Sequence, residues 1–204
     1  MNQAQLAAAL DLGREQANVE FKSAGLLSDS GLKAQVVRAV LGMANRRDGG
    51  FVVLGVQETD GAIVAQGLSV EQLGSWGPDD FGDELAKYAD PSVRHSVGRL
   101  ALDGRTFVAI DVAEFSEVPV LCKKDYGDGR KTILRAGACY VRPRRKPETV
   151  EVSTYADMRD LIDLATEKGV RRFVEIADRA GLGPQGSTAG WHEEQFREQR
   201  RDFR

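Results

Sequence analysis

Apolar positions recur along the chain at two different spacings, one typical of strands and the other of helices. Val19 and Phe21 alternate with charged residues, as on a half-buried strand. The next segment has helical spacing, with apolar residues at Leu32, Val36, Val37, Val40, Leu41 and Ala44. Phe51–Val56 is an unbroken apolar run bounded by turn residues, which is typical of a buried central strand. The first third of the chain therefore predicts strand, helix and strand in that order.

The rest of the chain predicts hairpins followed by helices. Asp60-Gly61 and Asp103-Gly104 are two-residue turn signals between apolar segments. The C-terminal part predicts two helices, over 153–167 and 170–180, with Gly169 ending the first. The predicted fold is therefore α+β, a mixed twisted β-sheet packed with helices and followed by a C-terminal helical segment.

Length and composition suit one compact domain. The chain has 204 residues, of which 42% are hydrophobic. Its N-terminal residues lack a basic segment followed by an apolar core, so we expect no signal peptide. No stretch approaches the roughly 18–20 apolar residues of a membrane helix. These features predict a cytoplasmic protein that does not contact a membrane.

Three carboxylates fall where strands begin or end, at Glu15, Glu20 and Glu58. If the strands that carry them are neighbours, the carboxylates converge, and Mg²⁺ or Mn²⁺ is the partner that such oxygen ligands prefer. A bound cation of this kind can polarise a phosphodiester. Lys22 shares the strand face of Glu20 and could neutralise a phosphate. The alternative is ordinary surface charge, because the chain contains 31 Asp and Glu residues.

Basic residues occur in local runs, although the formal net charge of the chain is −3. A nucleic-acid contact would therefore depend on a local patch. The candidate phosphate-binding residues are Arg38, Arg46, Arg47, Lys123, Lys124, Arg130, Lys131, Arg142, Arg144, Arg145 and Lys146. The alternative is that they are scattered, solvated charges.

Other kinds of site have little support in the sequence. The glycines near position 50 match neither the Walker pattern nor the dinucleotide-binding pattern, so we expect no ATP binding. The two cysteines and two histidines lack the spacing of a zinc site. No nucleophile elbow surrounds a serine or cysteine.

Four stretches in order give the chain its resemblance to the Schlafen-type AlbA domain family. They are Val19-Glu20-Phe21-Lys22, the segment from Ala44-Asn45 through Gly49-Gly50 to Gly55-Val56, the turn Glu58–Gly61, and Leu134–Arg142 with the pattern R-x-G-x-x-Y-x-R. The match spans about residues 15–150. We therefore expect a domain of this type over residues 1–150. The residue pattern beyond it predicts C-terminal helices over 151–183 that pack on the domain, and a charged tail over 184–204.

The resemblance also implies a function. Schlafen nucleases use three acids, which map on to Glu15, Glu20 and Glu58, and they cut structured RNA such as tRNA. By analogy we expect a metal-dependent endoribonuclease that binds Mg²⁺ or Mn²⁺, acts as a homodimer and serves in stress response or anti-phage defence. One alternative is a non-catalytic nucleic-acid-binding regulatory module. Another is an adaptor that uses its C-terminal tail.

Overall fold

The computed structural model describes residues 1–59, 62–127, 132–143 and 147–182. The helices are α1 (Gln3–Asp11), α2 (Ser30–Ala44), α3 (Val70–Ser75), α4 (Pro78–Ala86) and α5 (Tyr155–Arg179). The first seven strands are β1 (Val19–Lys22), β2 (Gly50–Leu54), β3 (Val56–Thr59), β4 (Ala62–Ala65), β5 (Ala89–Asp90), β6 (His95–Leu102) and β7 (Arg105–Val112). The others are β8 (Leu121–Cys122), β9 (Tyr126–Gly127), β10 (Thr132–Leu134), β11 (Tyr140–Val141) and β12 (Val150–Glu151).

A four-stranded sheet forms the centre of the fold, in the order β1-β2-β7-β6. β1 runs parallel to β2, with Val19 opposite Phe51 and Lys22 opposite Leu54. β7 is antiparallel to both of its neighbours, β2 and β6. The sheet is therefore mixed, and the predicted α+β class is confirmed.

Helix α2 connects the two parallel strands and is buried on nearly all sides. It contacts β1, β2 and β7 of the sheet and also β10 and β11 of the small outer strands. Ten of its residues are buried, including Val36, Val37 and Val40. The side chain of Asp29 begins the helix by accepting hydrogen bonds from the N–H groups of Gly31 and Leu32. A helix that is apolar on so many faces belongs between two layers.

The opposite face of the sheet packs against α1. Leu6 and Ala9 of α1 form one buried cluster with Val19 and Phe21 of β1 and with Val53 of β2. Because side chains alternate along a strand, Glu20 and Lys22 point to the other face of β1, towards α2. The strand alternation that predicted β1 thus also decides where its two charged residues lie.

Asn45 joins the end of α2 to the outer strands. Its side-chain amide donates to the carbonyls of Val120 and Tyr140 at 2.8 and 2.9 Å and accepts from the N–H of Val120 at 2.7 Å. The buried amide of Asn45 both donates and accepts hydrogen bonds, and these bonds connect the last turn of α2 to the start of β11. The contact fixes the outer layer against the helix.

Glycine is required in the turn from α2 to β2. Gly49 has a φ of +63°, and a Cβ there would lie 1.9 Å from the carbonyl oxygen of Val112. A Cβ on Gly50 would lie 2.4 Å from the sulfur of Met43. Asp48 before them also has a positive φ of 63°, and its N–H donates to the Glu114 carboxylate. The turn therefore brings β2 unusually close to both α2 and β7.

The C-terminal part of the described chain is one helix. α5 runs from Tyr155 to Arg179 without a break at Gly169, so the prediction of two helices is wrong. The chain divides into two compact units, Met1–Leu161 and Ile162–Arg204. The predicted turn at Asp60-Gly61 and the predicted tail over 184–204 lie outside the described residues. Within those residues no helix is long and apolar enough to span a bilayer.

Candidate functional site

Two of the three predicted acids meet around one arginine. The guanidinium of Arg142 donates from Nη1 to Glu20 Oε2 at 2.5 Å and from Nη2 to Glu15 Oε2 at 3.1 Å. Glu20 also accepts from Lys22 Nζ at 2.5 Å through its Oε1. Its Oε2 accepts from Thr149 Oγ1 at 2.7 Å. Two carboxylates and two cations therefore balance in charge at one place.

Arg142 also binds the backbone that precedes and begins β1. Its Nε donates to the Ala17 carbonyl, and its Nη2 donates to the carbonyls of Gln16 and Val19, all at 3.0 Å. The Arg142 side chain is 0% exposed. A fully buried guanidinium needs acceptors in several directions, and these three carbonyls and two carboxylates supply them. We call Glu15, Glu20, Lys22 and Arg142 the acid–arginine cluster.

The cluster depends on a close approach between α2 and Thr149. A Cβ on Gly42 of α2 would lie 2.6 Å from the Thr149 methyl carbon and 2.8 Å from its hydroxyl oxygen. Glycine at this position therefore leaves room for the hydroxyl that donates to Glu20. The buried carboxylate is satisfied through a contact that a larger side chain at position 42 would obstruct.

Glu15 occupies the outer side of β1. Its Oε1 accepts from the backbone N–H of Phe21 at 2.9 Å, and its side chain is 24% exposed. Burial raises the pKa of Glu15, while the Phe21 N–H and the Arg142 guanidinium lower it by smaller amounts. The net shift of the pKa is upward. Of the two acids in the cluster, Glu15 is the more accessible from solvent.

The third predicted acid is not grouped with these two. Glu58 lies on β3 opposite Ile63, and it is exposed. Over residues 1–59, 62–127, 132–143 and 147–182, no three His, Cys, Asp or Glu residues form a group that could hold a metal ion. The structure thus brings Glu15 and Glu20 together and leaves Glu58 out of the cluster.

The donor set does not fit a divalent cation. Both oxygens of Glu20 are used by Arg142, Thr149 and Lys22. Both oxygens of Glu15 are used as well, by Arg142 and by the Phe21 N–H. A metal ion would have to displace a buried guanidinium and would then share the site with two positive charges. In this arrangement the cations of the protein itself neutralise the acid pair.

The expectation that Arg142 is a surface cation is wrong. The sequence placed it among surface cations for a phosphate backbone, but its side chain is fully buried in the acid–arginine cluster. That expectation was wrong because a guanidinium with five acceptors can be buried, although arginine is usually exposed. Five further candidates lie outside the described residues: Arg130, Lys131, Arg144, Arg145 and Lys146.

Arg46 and Arg47 lie in the turn between α2 and β2. Arg46 is half-buried, and its Nη1 donates to the carbonyls of Arg47 and Gly49 at 2.8 and 2.7 Å. Part of its hydrogen-bonding capacity therefore stabilises the turn itself. Arg47 is exposed.

Two arginines contact Tyr140, and two of the predicted lysines lie in a segment whose backbone is bonded to the residues just before this tyrosine. The Arg38 guanidinium lies 5.2 Å from the centre of the Tyr140 ring. The N–H of Arg135 donates to the Tyr140 hydroxyl at 2.8 Å. Lys123 and Lys124 follow Cys122, which exchanges backbone hydrogen bonds with the 137–138 segment next to Tyr140. We call Arg38, Lys123, Lys124 and Arg135 the Tyr140 cluster.

The Tyr140 cluster has unused hydrogen-bonding capacity. Among the described residues, Nε of Arg38 is the one buried side-chain nitrogen or oxygen without a hydrogen-bond partner. Lys123 and Lys124 are exposed, and neither ammonium has a partner in the described part of the chain. Arg135 differs, because Glu151 forms an ion pair with it. Because the Nε of Arg38 is buried, an oxyanion in solvent would meet the two exposed ammonium groups of Lys123 and Lys124.

Two contributors to these clusters were missed from the sequence. Arg135 belonged to a recognised sequence pattern, and that pattern was the only signal that could have marked it. Thr149 had no signal, because a single threonine 129 residues beyond Glu20 cannot be linked to it without the fold.

Removing Arg142 should destabilise the protein strongly. Arg142→Met leaves the buried Glu20 and three backbone carbonyls without their partner, so we expect a loss of about 3–5 kcal/mol in the free energy of unfolding. Urea denaturation followed by circular dichroism measures this loss. Arg135→Met is the matched control, because its ion pair with Glu151 is solvent-exposed and should change stability little. Equal stabilities of the two variants would contradict a structural role for Arg142.

Glu15 should give stability a distinctive dependence on pH. Its folded pKa is raised above the usual 4.5, so the folded chain retains a proton that the unfolded chain has lost. This contribution is fully present below pH 4.5 and is lost as pH rises through the folded pKa. The stability of the wild type relative to Glu15→Gln should therefore fall as pH rises above about 4.5.

Glu84 provides a control of opposite sign. Hydrogen bonds from Lys87 and Lys33 lower its pKa, so its contribution appears as pH rises. The stability of the wild type relative to Glu84→Gln should not fall over the same range. Unfolding midpoints at each pH measure both stability differences. If the difference fell with rising pH for Glu84→Gln and not for Glu15→Gln, the assigned directions of the two pKa shifts would be wrong.

Comparison with solved structures gives matches of low identity. The DIP2311 protein from Corynebacterium diphtheriae matches with 19% identity and a TM-score of 0.48, over 73% of this chain and 26% of that one. This chain thus spans about a quarter of that protein. The N-terminal domain of a RecG-related protein from Nitrosomonas europaea matches with 24% identity and a TM-score of 0.44, over 67% of this chain and 88% of that domain. No curated protein matches the chain.

A family comparison covers most of the chain. The Schlafen, AlbA_2 family model matches residues 15–150. The matched range begins at Glu15, includes β1, α2 and β2, and ends at β12. It therefore contains both the acid–arginine cluster and the Tyr140 cluster. The chain belongs to the Schlafen AlbA_2 family.

Proposed function

We propose that this chain is an RNA-binding domain and that it holds the phosphate backbone through the Tyr140 cluster. Membership of the Schlafen AlbA_2 family indicates a function related to nucleic acids. The observation that carries the proposal is the pair of exposed ammonium groups on Lys123 and Lys124, which directly follow Cys122, a residue hydrogen-bonded to the segment before Tyr140. Phosphate oxygens are the acceptors that such donors bind.

The chemistry of the cluster favours backbone contacts over base recognition. Tyr140 is 3% exposed, so its ring holds Arg38 in place and cannot itself stack on a base. Lysine ammonium groups bind phosphate as point charges and read no sequence. We therefore expect RNA binding with strong salt dependence and weak sequence preference. Structured RNA such as tRNA is the proposed ligand.

Replacing both lysines should reduce the salt dependence of RNA binding. Each phosphate contact contributes about 0.7–0.9 to the slope of log affinity against log salt concentration. Lys123→Ala with Lys124→Ala should therefore lower the magnitude of the slope by about 1.4–1.8. Fluorescence anisotropy with labelled tRNA over a range of salt concentrations measures the slope.

A matched double variant controls for net charge. Arg94→Ala with Arg105→Ala removes two exposed positive charges, one just before β6 and one at the start of β7, and should leave the slope close to that of the wild type. An identical effect of both double variants would contradict a specific role for the Tyr140 cluster. Equal affinity for duplex DNA would broaden the ligand class, and no binding to either nucleic acid would overturn the proposal.

A second candidate function is a metal-dependent endoribonuclease. It is favoured by the pairing of Glu15 and Glu20 through one guanidinium, with Lys22 on Glu20, at the positions that the resemblance to Schlafen nucleases marks. Burial also raises the pKa of Glu15, so this acid keeps its proton to a higher pH than a free glutamate does. Mg²⁺ or Mn²⁺ would be required, and the observed contacts of the acids do not fit either ion. Any role in stress response or defence would depend on this activity.

Glu58 offers a test of this candidate that does not disturb the fold. It is exposed and lies outside the acid–arginine cluster, so Glu58→Gln should leave stability unchanged. If the chain is a three-acid nuclease, tRNA incubated with Mn²⁺ or Mg²⁺ should give discrete fragments with the wild type. The fragments should be at least roughly a hundredfold less abundant with Glu58→Gln, and EDTA should abolish them.

Intact tRNA with the wild type under every metal condition would remove this candidate. That result would leave the RNA-binding proposal standing, because binding is measured separately by anisotropy. Fragments that persist with Glu58→Gln would show a nuclease activity that does not use the three predicted acids.

A further inference from the structure

Strand β6 forms an open edge of the four-stranded sheet. It stands last in the strand order, and among the described strands it pairs only with β7. Directly before β6, the carbonyl of Arg94 points towards β7, because it accepts from the N–H of Ala113. The bonding direction alternates from one residue to the next along an antiparallel strand. The residues of β6 whose N–H and C=O groups point away from β7 are therefore His95, Val97, Arg99 and Ala101.

These outward backbone groups are unused in the described part of the chain. None of the hydrogen bonds there involves the N–H or C=O of Val97, Arg99 or Ala101. The pairing of β6 with β7 is regular over all eight residues, and the strand contains no proline. The Arg99 guanidinium is turned towards α3, where its Nη2 donates to the Leu73 carbonyl at 3.0 Å. An edge strand that is long, regular and free of proline can pair with a further strand.

A groove lies beside the first half of this edge. It separates one side of α4, with Asp79, Gly82 and Asp83, from the beginning of β6, with His95 and Val97, and its volume is about 480 Å³. Both elements belong to the same compact unit, Met1–Leu161. The ring of His95 packs edge-on against the buried Phe81 of α4, with 5.5 Å between the ring centres. This contact holds the helix and the strand at a fixed separation.

Two carboxylates of α4 line this groove. Asp79 and Asp83 are both exposed, and neither forms a hydrogen bond or ion pair with any described residue. Lys87 lies near enough to Asp83 for their charges to interact, but its Nζ donates to Glu84 at 2.8 Å. The two carboxylates therefore remain open to a cation from another molecule.

His95 adds a hydrogen-bond acceptor to the groove. Its Nδ1 donates to the Val93 carbonyl at 3.0 Å, so Nε2 is an acceptor when the ring is neutral. Nε2 lies on the side of Gly82, 3.8 Å from the place where a Cβ on that glycine would stand. Within the described part of the chain, no lysine or arginine lines the groove. The groove therefore suits a ligand that brings hydrogen-bond donors and positive charge.

We propose that the edge of β6 binds an extended segment of another protein, which adds to the sheet as a fifth strand and places a lysine or arginine in the groove. Main-chain hydrogen bonds to the outward groups of β6 give the affinity, and the basic side chain between Asp79 and His95 gives the specificity. The proposal uses neither the acid–arginine cluster nor the Tyr140 cluster, so it is independent of the RNA-binding proposal.

Synthetic peptides test the proposal with the full chain. The probe is the labelled peptide Thr-Val-Thr-Lys-Thr-Val-Thr, and fluorescence anisotropy measures its binding. The probe should bind, and the same peptide with glutamate in place of lysine should have a dissociation constant about tenfold higher, because the groove repels its carboxylate.

Methylation of the peptide backbone separates strand addition from simple charge attraction. Only alternate amides of an added strand face β6. Two versions of the probe carry N-methyl groups, one on its odd and the other on its even residues. One version should lose binding, and the other should bind like the unmethylated probe.

Gly82→Ala tests the groove without weakening the fold. Glycine is unfavourable inside a helix, and the added methyl group would meet His95 at an ordinary contact distance. The variant should therefore be at least as stable as the wild type in urea. The dissociation constant of the probe should rise about tenfold, because the methyl group narrows the groove.

The double variant Asp79→Asn with Asp83→Asn tests the charge of the groove. It should raise the dissociation constant of the probe about tenfold. Asp11→Asn with Glu58→Gln is the matched control, because it removes two exposed acids outside the groove and should leave the dissociation constant unchanged. Circular dichroism of each variant checks that the fold is retained.

Three outcomes would overturn the proposal. No binding of the probe at any soluble concentration would show that this edge does not take a basic strand. Equal affinity of the two methylated versions would exclude strand addition. Self-association of the wild type that the probe abolishes would identify a second copy of this chain as the occupant of the edge.

Discussion

The buried guanidinium of Arg142 is the interaction on which the rest of this fold depends. It follows β11, yet its donors end on residues at and before β1, more than 120 residues earlier. Thr149 donates to the same Glu20 carboxylate and packs against Gly42 of α2, so the cluster joins the sheet, the central helix and the outer strands at one point. A buried ion pair of this kind adds little net stability when intact. Removing one partner is strongly destabilising, because the other charge remains buried and unpaired.

The sequence predicted one site that combines metal-binding carboxylates with phosphate-binding cations. In the structure the paired acids and the exposed lysines lie in different clusters. The acids marked by the resemblance to Schlafen nucleases are paired with internal cations, while the exposed lysines Lys123 and Lys124 belong to the Tyr140 cluster. A phosphate backbone is repelled by open carboxylates, so neutralising Glu15 and Glu20 internally removes an obstacle to nucleic-acid binding. This internal pairing of the acids is the geometric reason for proposing binding ahead of metal-assisted cleavage.

The sequence predicted those features that depend on neighbouring residues. The alternation of Val19 and Phe21 with Glu20 and Lys22 placed the two charged residues on one face of β1, and their contact confirms it. The helical spacing of α2 and the strand character of β2 follow from the same local patterns. Asp29 and the glycines at 49 and 50 set the boundaries of these elements, because caps and tight turns have short-range chemical causes.

Features that depend on distant residues could not be predicted. Arg142 stands next to three more basic residues in the sequence, so only the folded chain reveals that it is buried. Gly169 was predicted to end a helix, but a cost of about 1 kcal/mol does not interrupt a helix of 25 residues. Glu58 was expected to meet Glu15 and Glu20, but among the described strands β3 lies outside the four-stranded sheet and pairs with β4.

The position of β1 gives the acid–arginine cluster one further consequence. β1 is an outermost strand of the sheet, and such strands normally invite another strand to add alongside. Here the outward N–H of Phe21 is bound by Glu15, and the carbonyl of Val19 is bound by Arg142. A foreign strand would find these positions occupied by side chains. The sheet is thus closed to extension and to strand-mediated aggregation at this edge, and β6 is left as its other edge.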